Sequence, residues 1–189
     1  NLSQGPNNDA AIGLWDRLLA TGQHLTAVAG TDSHDPRTAE GALGRAVTVV
    51  RATRDPAAVY RSLAAGECYV STGGSARIEA VASDGLRAAM GGTLTADGPV
   101  RLEVRCSSPA AACAIVFKDG LMWRVLDIPA TDGAEHLVDV TEPHPVSAAY
   151  RVELHLRGEG PRFWATVRRS HESLLALSNP VWLETPTGP

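Results

Sequence analysis

The stretch Tyr150-Arg151-Val152-Glu153-Leu154-His155-Leu156 alternates apolar and polar side chains over its whole length. Successive side chains of a β-strand point to opposite faces of the sheet, so the pattern predicts a strand with one apolar and one charged face. The stretch Val100-Arg101-Leu102-Glu103-Val104-Arg105 has the same pattern. Two such strands indicate antiparallel sheets that bury one face and expose the other to water.

Further short apolar runs surround these two strands and are separated by turn signals. The turn signals are Asp84-Gly85, Asp97-Gly98, Asp119-Gly120 and Asp132-Gly133. Asp-Gly pairs between alternating runs are typical of β-hairpins. We therefore predict a β-sandwich-like accessory domain over residues 75–189, with a boundary at Gly73-Gly74. Strands are expected within 76–81, 100–106, 114–117, 125–128, 136–140, 150–156 and 163–167.

Residues 1–74 follow a different pattern, in which helices and strands alternate. Apolar spacing predicts a helix that begins near residues 7–9 and ends at Gly22, and Asp55-Pro56 predicts the start of a second helix that ends at Gly66. Short apolar runs predict strands at 25–29, 46–50 and 68–71. This order is typical of α/β architecture with a parallel sheet or barrel. The predicted fold class is thus α/β plus all-β.

A loop with several reactive side chains follows the predicted strand 25–29. It reads Gly30-Thr31-Asp32-Ser33-His34-Asp35-Pro36. Side chains two positions apart on an extended backbone point to the same side, so Asp32 and His34 can reach one metal ion while Ser33 faces away. The alternative is that Asp32 and His34 only structure a turn. Arg37 is a candidate contact for a substrate phosphate, or else a solvated loop arginine.

Composition excludes some classes of partner. The chain has 189 residues, a formal net charge of −4 and a sequence pI near 5.8. Lys and Arg form no cluster, which argues against nucleic acid as the main partner. No apolar run approaches the roughly 20 residues of a transmembrane helix. The three cysteines lack metal-site spacing and are expected to be buried thiols, although Cys106 and Cys113 could face each other across a hairpin, and the cellular compartment stays open.

The chain resembles the C-terminal part of a PHP-domain metal-dependent hydrolase of the CehA/McbA-like branch. Pieces in the family order carry the resemblance: residues 7–22 with Trp15-Asp16, Gly30-Thr31-Asp32-Ser33-His34, Gly44 with Thr48-Val49-Val50, residues 63–71, and Ser178-Asn179-Pro180-Val181-Trp182. The resemblance implies the last part of a distorted TIM-like (β/α)7 barrel over residues 1–74. It also implies two or three divalent ions (Zn, Mn or Fe) in the parent protein, with Asp32 and His34 as the last metal-binding motif.

The departures from the family pattern are equally informative. The family's His-x-His motif and its middle ligands are absent from this sequence. Two protein ligands do not complete a catalytic zinc site, which uses three plus water. We therefore expect a fragment that supplies metal ligands to a phosphoesterase or related hydrolase. By itself the fragment is expected to have little or no activity and to lack a complete metal site.

Two functions of different classes follow. In the first, a metal-activated water attacks a small-molecule phosphate or related ester. In the second, the chain is a non-catalytic β-sandwich binding module for a carbohydrate or a partner protein. A homo-oligomer is compatible with either function, because a partial barrel would expose sheet edges that need cover.

Overall fold

The computed structural model describes residues 5–30, 46–157 and 173–186. Two helices and twelve strands lie within these ranges. The helices are α1 (Gly5–Leu19) and α2 (Pro56–Ala64). The strands are β1 (Val47–Val50), β2 (Cys68–Ser71), β3 (Ser75–Ala82), β4 (Arg87–Ala89), β5 (Thr93–Thr95), β6 (Val100–Ser107), β7 (Ala112–Lys118), β8 (Leu121–Ile128), β9 (His136–Glu142), β10 (Ala148–Leu156), β11 (Leu174–Ser178) and β12 (Val181–Glu184).

The strands form two sheets. The larger, sheet A, contains eight strands: β1, β2, β11, β10, β12 and β5, with β7 on the other edge of β10 and β8 beyond it. The smaller, sheet B, has the order β4-β3-β6-β9. All ladders among the described residues are antiparallel except the one between β12 and β5.

The prediction of an α/β barrel for residues 1–74 is wrong. Strands β1 and β2 flank α2 along the chain, but they pair antiparallel, from Val47 with Ser71 to Val50 with Cys68. A barrel of the predicted type needs parallel strands alternating with many helices. Helix α1, strand β1, helix α2 and strand β2 follow one another in the predicted order, but this order does not determine strand direction, and β2 takes β11 as its second antiparallel neighbour. The TIM-like assignment therefore fails.

The two sheets pack face to face, as expected for a sandwich-like arrangement. Their inner faces form one apolar cluster that includes Ile78, Leu102 and Val104 from sheet B and Val152 and Leu154 from sheet A. All five side chains are almost fully buried. The alternation in β6 and β10 correctly predicted these inward positions, because the strand period is two.

The second face of β10 departs from expectation. Arg151, Glu153 and His155 are buried rather than solvated. Helix α1 covers part of this face, where Trp15 and Leu19 pack with Ala149, Leu177 and Trp182. Sheet A is thus covered on both sides near its centre.

The sheet connections also bear on the predicted division at residue 74. β2 precedes Gly73-Gly74 and pairs with β11, which lies in the predicted second domain. The division into residues 1–74 and 75–189 stays a prediction.

All three cysteines are buried and free, as predicted. Cys106 lies on β6 and Cys113 on β7, which belong to different sheets, so the two residues do not flank a hairpin. Burial raises the pKa of Cys106 to about 12 and that of Cys113 to about 11, which suppresses thiolate reactivity. Neither helix in the described ranges is long and apolar enough to cross a membrane.

Candidate functional site

The predicted site residues Asp32, His34 and Arg37 lie outside the described residues, within 31–45. The structure does describe the segment that leads directly into them, residues 25–30. The candidate site therefore consists of that segment and of the side chains that hold it.

Asn179 holds the middle of this segment. Its Oδ1 accepts a hydrogen bond from the backbone N–H of Ala27 at 2.7 Å, and its Nδ2 donates to the carbonyl oxygen of Ala27 at 3.0 Å. Nδ2 also donates to the carbonyl oxygen of Cys68 on β2, at 2.9 Å. The amide thus satisfies both backbone groups of Ala27 and ties the segment to sheet A, in the manner of a neighbouring strand.

Thr48 holds the carboxyl end of the segment. Its hydroxyl accepts from the N–H of Ala29 at 2.8 Å and donates to the carbonyl oxygen of the same residue at 3.1 Å. At the other end, Trp15 Nε1 donates to the carbonyl oxygen of Leu25 at 2.9 Å. Three side chains from α1, β1 and the β11–β12 turn therefore fix residues 25–29.

The strand prediction for 25–29 needs a correction. The structure assigns no strand there, because side chains rather than a neighbouring backbone supply the hydrogen bonds described above. The consequence for the site is the one that a strand would have. Residues 25–29 are held in place, and the chain continues from them through Gly30 to Thr31, Asp32 and His34.

An apolar cavity of about 380 Å³ borders the held segment. Ile12, Trp15, Val70 and Leu177 contribute to its walls together with residues 26–30. Val28 is 62% exposed beside it. The segment is therefore held by hydrogen bonds from the three side chains described above and borders an apolar cavity.

Sequence reasoning missed a chain of buried polar side chains on the outer face of β10. Arg151 makes a two-point contact with Asp16 of α1, from Nε to Oδ1 at 2.7 Å and from Nη2 to Oδ2 at 2.8 Å. Its Nη1 donates to Glu153 Oε1 at 2.6 Å. Glu153 Oε2 lies 3.0 Å from His155 Nε2, and His155 Nδ1 lies 3.1 Å from Ser173 Oγ. The sequence shows the alternation of charged residues in β10, but it does not show that helix α1 packs over them and buries them.

The electrostatics of this chain favour an anchoring role. Burial by itself would raise the pKa of Glu153, but Arg151 and His155 overcome that effect and lower it to about 2. The carboxylate is therefore ionised and neutralised by a fully buried guanidinium. Ser173, His155 and Glu153 are hydrogen-bonded in the order of a serine–histidine–carboxylate catalytic triad. However, His155 is only 3% exposed. A base must reach a substrate proton within hydrogen-bond distance, so this arrangement suits attachment of α1 better than catalysis.

The described residues contain no group of three or more His, Cys, Asp or Glu side chains placed to hold a metal ion. No family model matches the chain, and no curated protein matches it either.

Proposed function

We propose that this chain contributes Asp32 and His34 to the divalent metal centre of a hydrolase that acts on phosphate or related esters. The observation that carries the proposal is the attachment of residues 25–29 by Asn179, Thr48 and Trp15. Three side chains from separate elements fix a segment whose continuation is Gly30-Thr31-Asp32-Ser33-His34. Such support is what a metal-binding motif requires, because ligands must be held within a fraction of an ångström.

The donor set fits this role. Asp32 offers a carboxylate oxygen and His34 an imidazole nitrogen, a combination that suits zinc, manganese or iron. Continued in extended form from Ala29, the backbone would direct both side chains to one side and Ser33 to the other. The proposal assigns the remaining ligands to other parts of the parent protein, because two ligands leave a catalytic site incomplete.

The proposal assigns a role to five residues of the chain. Asp32 and His34 hold the metal, and Asn179 and Thr48 position them through residues 25–30. A divalent ion supplies polarisation of the ester oxygen and a bound water of lowered pKa. Arg37 follows His34 by three positions in the sequence, and the proposal gives it the role of a phosphate contact, because a guanidinium can donate two hydrogen bonds to a phosphate.

The proposal is tested by hydrolysis of p-nitrophenyl phosphate and bis(p-nitrophenyl) phosphate by the full-length protein that contains this chain. We expect Asp32→Asn and His34→Ala to lower turnover by a factor of about 100 or more, because each removes a ligand. Ser33→Ala is the matched control and should retain turnover. Equal turnover in all three variants would contradict the proposal.

A further inference from the structure

A second concave site lies on the opposite side of β1 and β2 from α1. It is a groove of about 650 Å³ between these strands and the outer face of sheet B. Binding sites for small ligands have volumes of about 300–1,000 Å³. The groove is lined by charged side chains of both signs, a tyrosine and several apolar side chains.

The floor of the groove carries ordered rows of charge. Glu79 on β3 lies directly opposite Glu103 on β6, and Arg77 lies opposite Arg105 one step along the same face. Like charges at directly opposed positions destabilise a sheet unless other groups neutralise them. Here the acidic row is neutralised by arginines on either side.

Glu103 is the centre of this neutralisation. Its side chain is 5% exposed and contacts Arg105 at 2.7 Å, Arg87 at 2.8 Å and Arg101 at 2.9 Å. Arg87 in turn makes a two-point contact with Glu79, at 2.9 and 3.1 Å, and Arg77 pairs with Glu135. Planar side chains that hold one another in this way lose little further conformational freedom when a ligand binds.

The chemistry of the lining selects a class of ligand. The lining contains three arginines (Arg51, Arg77 and Arg105) and four glutamates, so its formal charge is nearly balanced. The arginines carry N–H donors and the partly exposed Glu67, Glu79 and Glu135 carry oxygen acceptors, whereas Glu103 is buried against its arginine partners. A balanced lining gives neither an anion nor a cation a large electrostatic advantage. Donors and acceptors set side by side match neighbouring hydroxyl groups, each of which both donates and accepts.

The rest of the lining is apolar or aromatic. Val49 and Val50 offer half-buried apolar surface, and Tyr69 offers a half-buried ring with a phenolic hydroxyl. A ring face is electron-rich and attracts the C–H edge of a ligand. Hydroxyl groups around an apolar C–H skeleton are the defining features of a sugar.

We propose that this groove binds a neutral, polyhydroxylated ligand, that is, a carbohydrate. The described lining comes from β1, β2, sheet B and the residues next to these strands, so the inference does not rest on the roles proposed for Asp32 and His34. It therefore gives the chain a recognition function beside the proposed metal centre.

The experiment screens the protein on an array of neutral oligosaccharides and then measures each hit by isothermal titration calorimetry. Inorganic phosphate serves as the anionic probe. The groove variants are Arg51→Ala, which removes an exposed side chain, and Arg77→Ala, whose partner Glu135 is itself partly exposed. Arg124→Ala is the matched control, because Arg124 lies on β8, stacks on Trp123 and does not line the groove.

We expect at least one neutral oligosaccharide to bind, with affinity lowered about tenfold or more by Arg77→Ala and unchanged by Arg124→Ala. Circular dichroism checks that each variant is folded. Absence of binding at about 10 mM sugar would overturn the proposal. Binding of inorganic phosphate alone, or equal loss in Arg77→Ala and Arg124→Ala, would also overturn it.

Discussion

The side-chain amide of Asn179 makes a two-point hydrogen-bonded contact with the backbone of Ala27, 152 positions earlier in the chain. Asn179 is fully buried, and its third partner is the carbonyl oxygen of Cys68. One amide thus joins the turn between β11 and β12, the strand β2 and the segment that leads into Asp32. The position of residues 25–29 therefore depends on a side chain from the β11–β12 turn, far away in the sequence.

Asn179→Ala should lower the free energy of unfolding by about 2–4 kcal/mol, because it leaves backbone groups of the half-buried Ala27 and the buried Cys68 without this partner. Asn179→Asp keeps the size but replaces a donor by a charge that faces two carbonyl oxygens, and should also destabilise. Urea unfolding measures both. Gln23→Ala, on an exposed side chain, is the control. A neutral effect of Asn179→Asp at pH 7 would show that the amide donor does not matter.

Asp16→Ala tests the attachment of α1 to β10. Alanine has the higher helix propensity, so any loss of stability reports the lost pair with Arg151 rather than a weaker helix. Removal of one partner of a buried ion pair destabilises by about 3–5 kcal/mol. Thermal unfolding should show this for Asp16→Ala, and little change for the exposed neighbour Arg17→Ala. Equal stability of the two variants would contradict the assigned role of Asp16.

Acid should destabilise the fold in a defined range of pH. The pKa of Glu153 is lowered from 4.5 to about 2, since its contacts with Arg151 and His155 outweigh the opposing effect of burial. A lowered pKa in the folded state means that the stabilisation is present above pH 4.5 and is lost as the pH falls towards 2. Its size is on the order of 3 kcal/mol. The pKa values of Glu103 and Glu142 are lowered as well, despite their burial, by contacts with Arg105 and Lys118 respectively.

Urea midpoints measured from pH 7 to pH 2 test this prediction. Glu153→Gln should lower stability at pH 7 and flatten the decline between pH 4.5 and 2, because the titrating group is gone. An unchanged slope in Glu153→Gln would exclude Glu153 as the source of the acid sensitivity.

Gly91→Ala should destabilise strongly. Gly91 has a φ of +80°, and an added Cβ would lie 1.7 Å from the carbonyl oxygen of Ala65, at the end of α2. A backbone atom cannot move aside as a flexible side chain can, so we expect a loss of about 3 kcal/mol or more. In Gly98→Ala the nearest atom is the Ser83 hydroxyl at 3.8 Å, and the effect should be small. Thermal unfolding of the two variants gives the comparison, and similar midpoints would contradict the predicted clash.

Local elements of the fold could be predicted from the sequence. Asp55 caps α2 and accepts from the N–H groups of Ala57 and Ala58, as its position before Pro56 indicated. β2 covers the predicted residues, Cys68–Ser71. Asp119-Gly120 has positive φ at both residues, 48° and 73°, which is typical of the tight hairpin turns predicted for Asp-Gly pairs. These features depend on residues that are neighbours in the sequence, so the sequence predicts them.

Long-range relationships could not be predicted. Asn179 lies in the turn between β11 and β12, but the partner of its side-chain amide lies 152 positions away and no local pattern indicates it. The charged face of β10 resembled a solvated face, and only the placement of α1 buries it. The parallel barrel was inferred from element order, whereas strand direction depends on which strands meet. Asp32 and His34 remain a hypothesis from spacing and resemblance.

The measurement that tests the central claim most directly is metal content by elemental analysis after exhaustive dialysis. It compares the full-length protein that contains this chain with its Asp32→Asn, His34→Ala and Ser33→Ala variants. We predict stoichiometric divalent metal in the unsubstituted protein and in Ser33→Ala, with loss in Asp32→Asn and His34→Ala. Undiminished metal in Asp32→Asn and His34→Ala, or none in the unsubstituted protein, would contradict the assignment of these two residues as ligands.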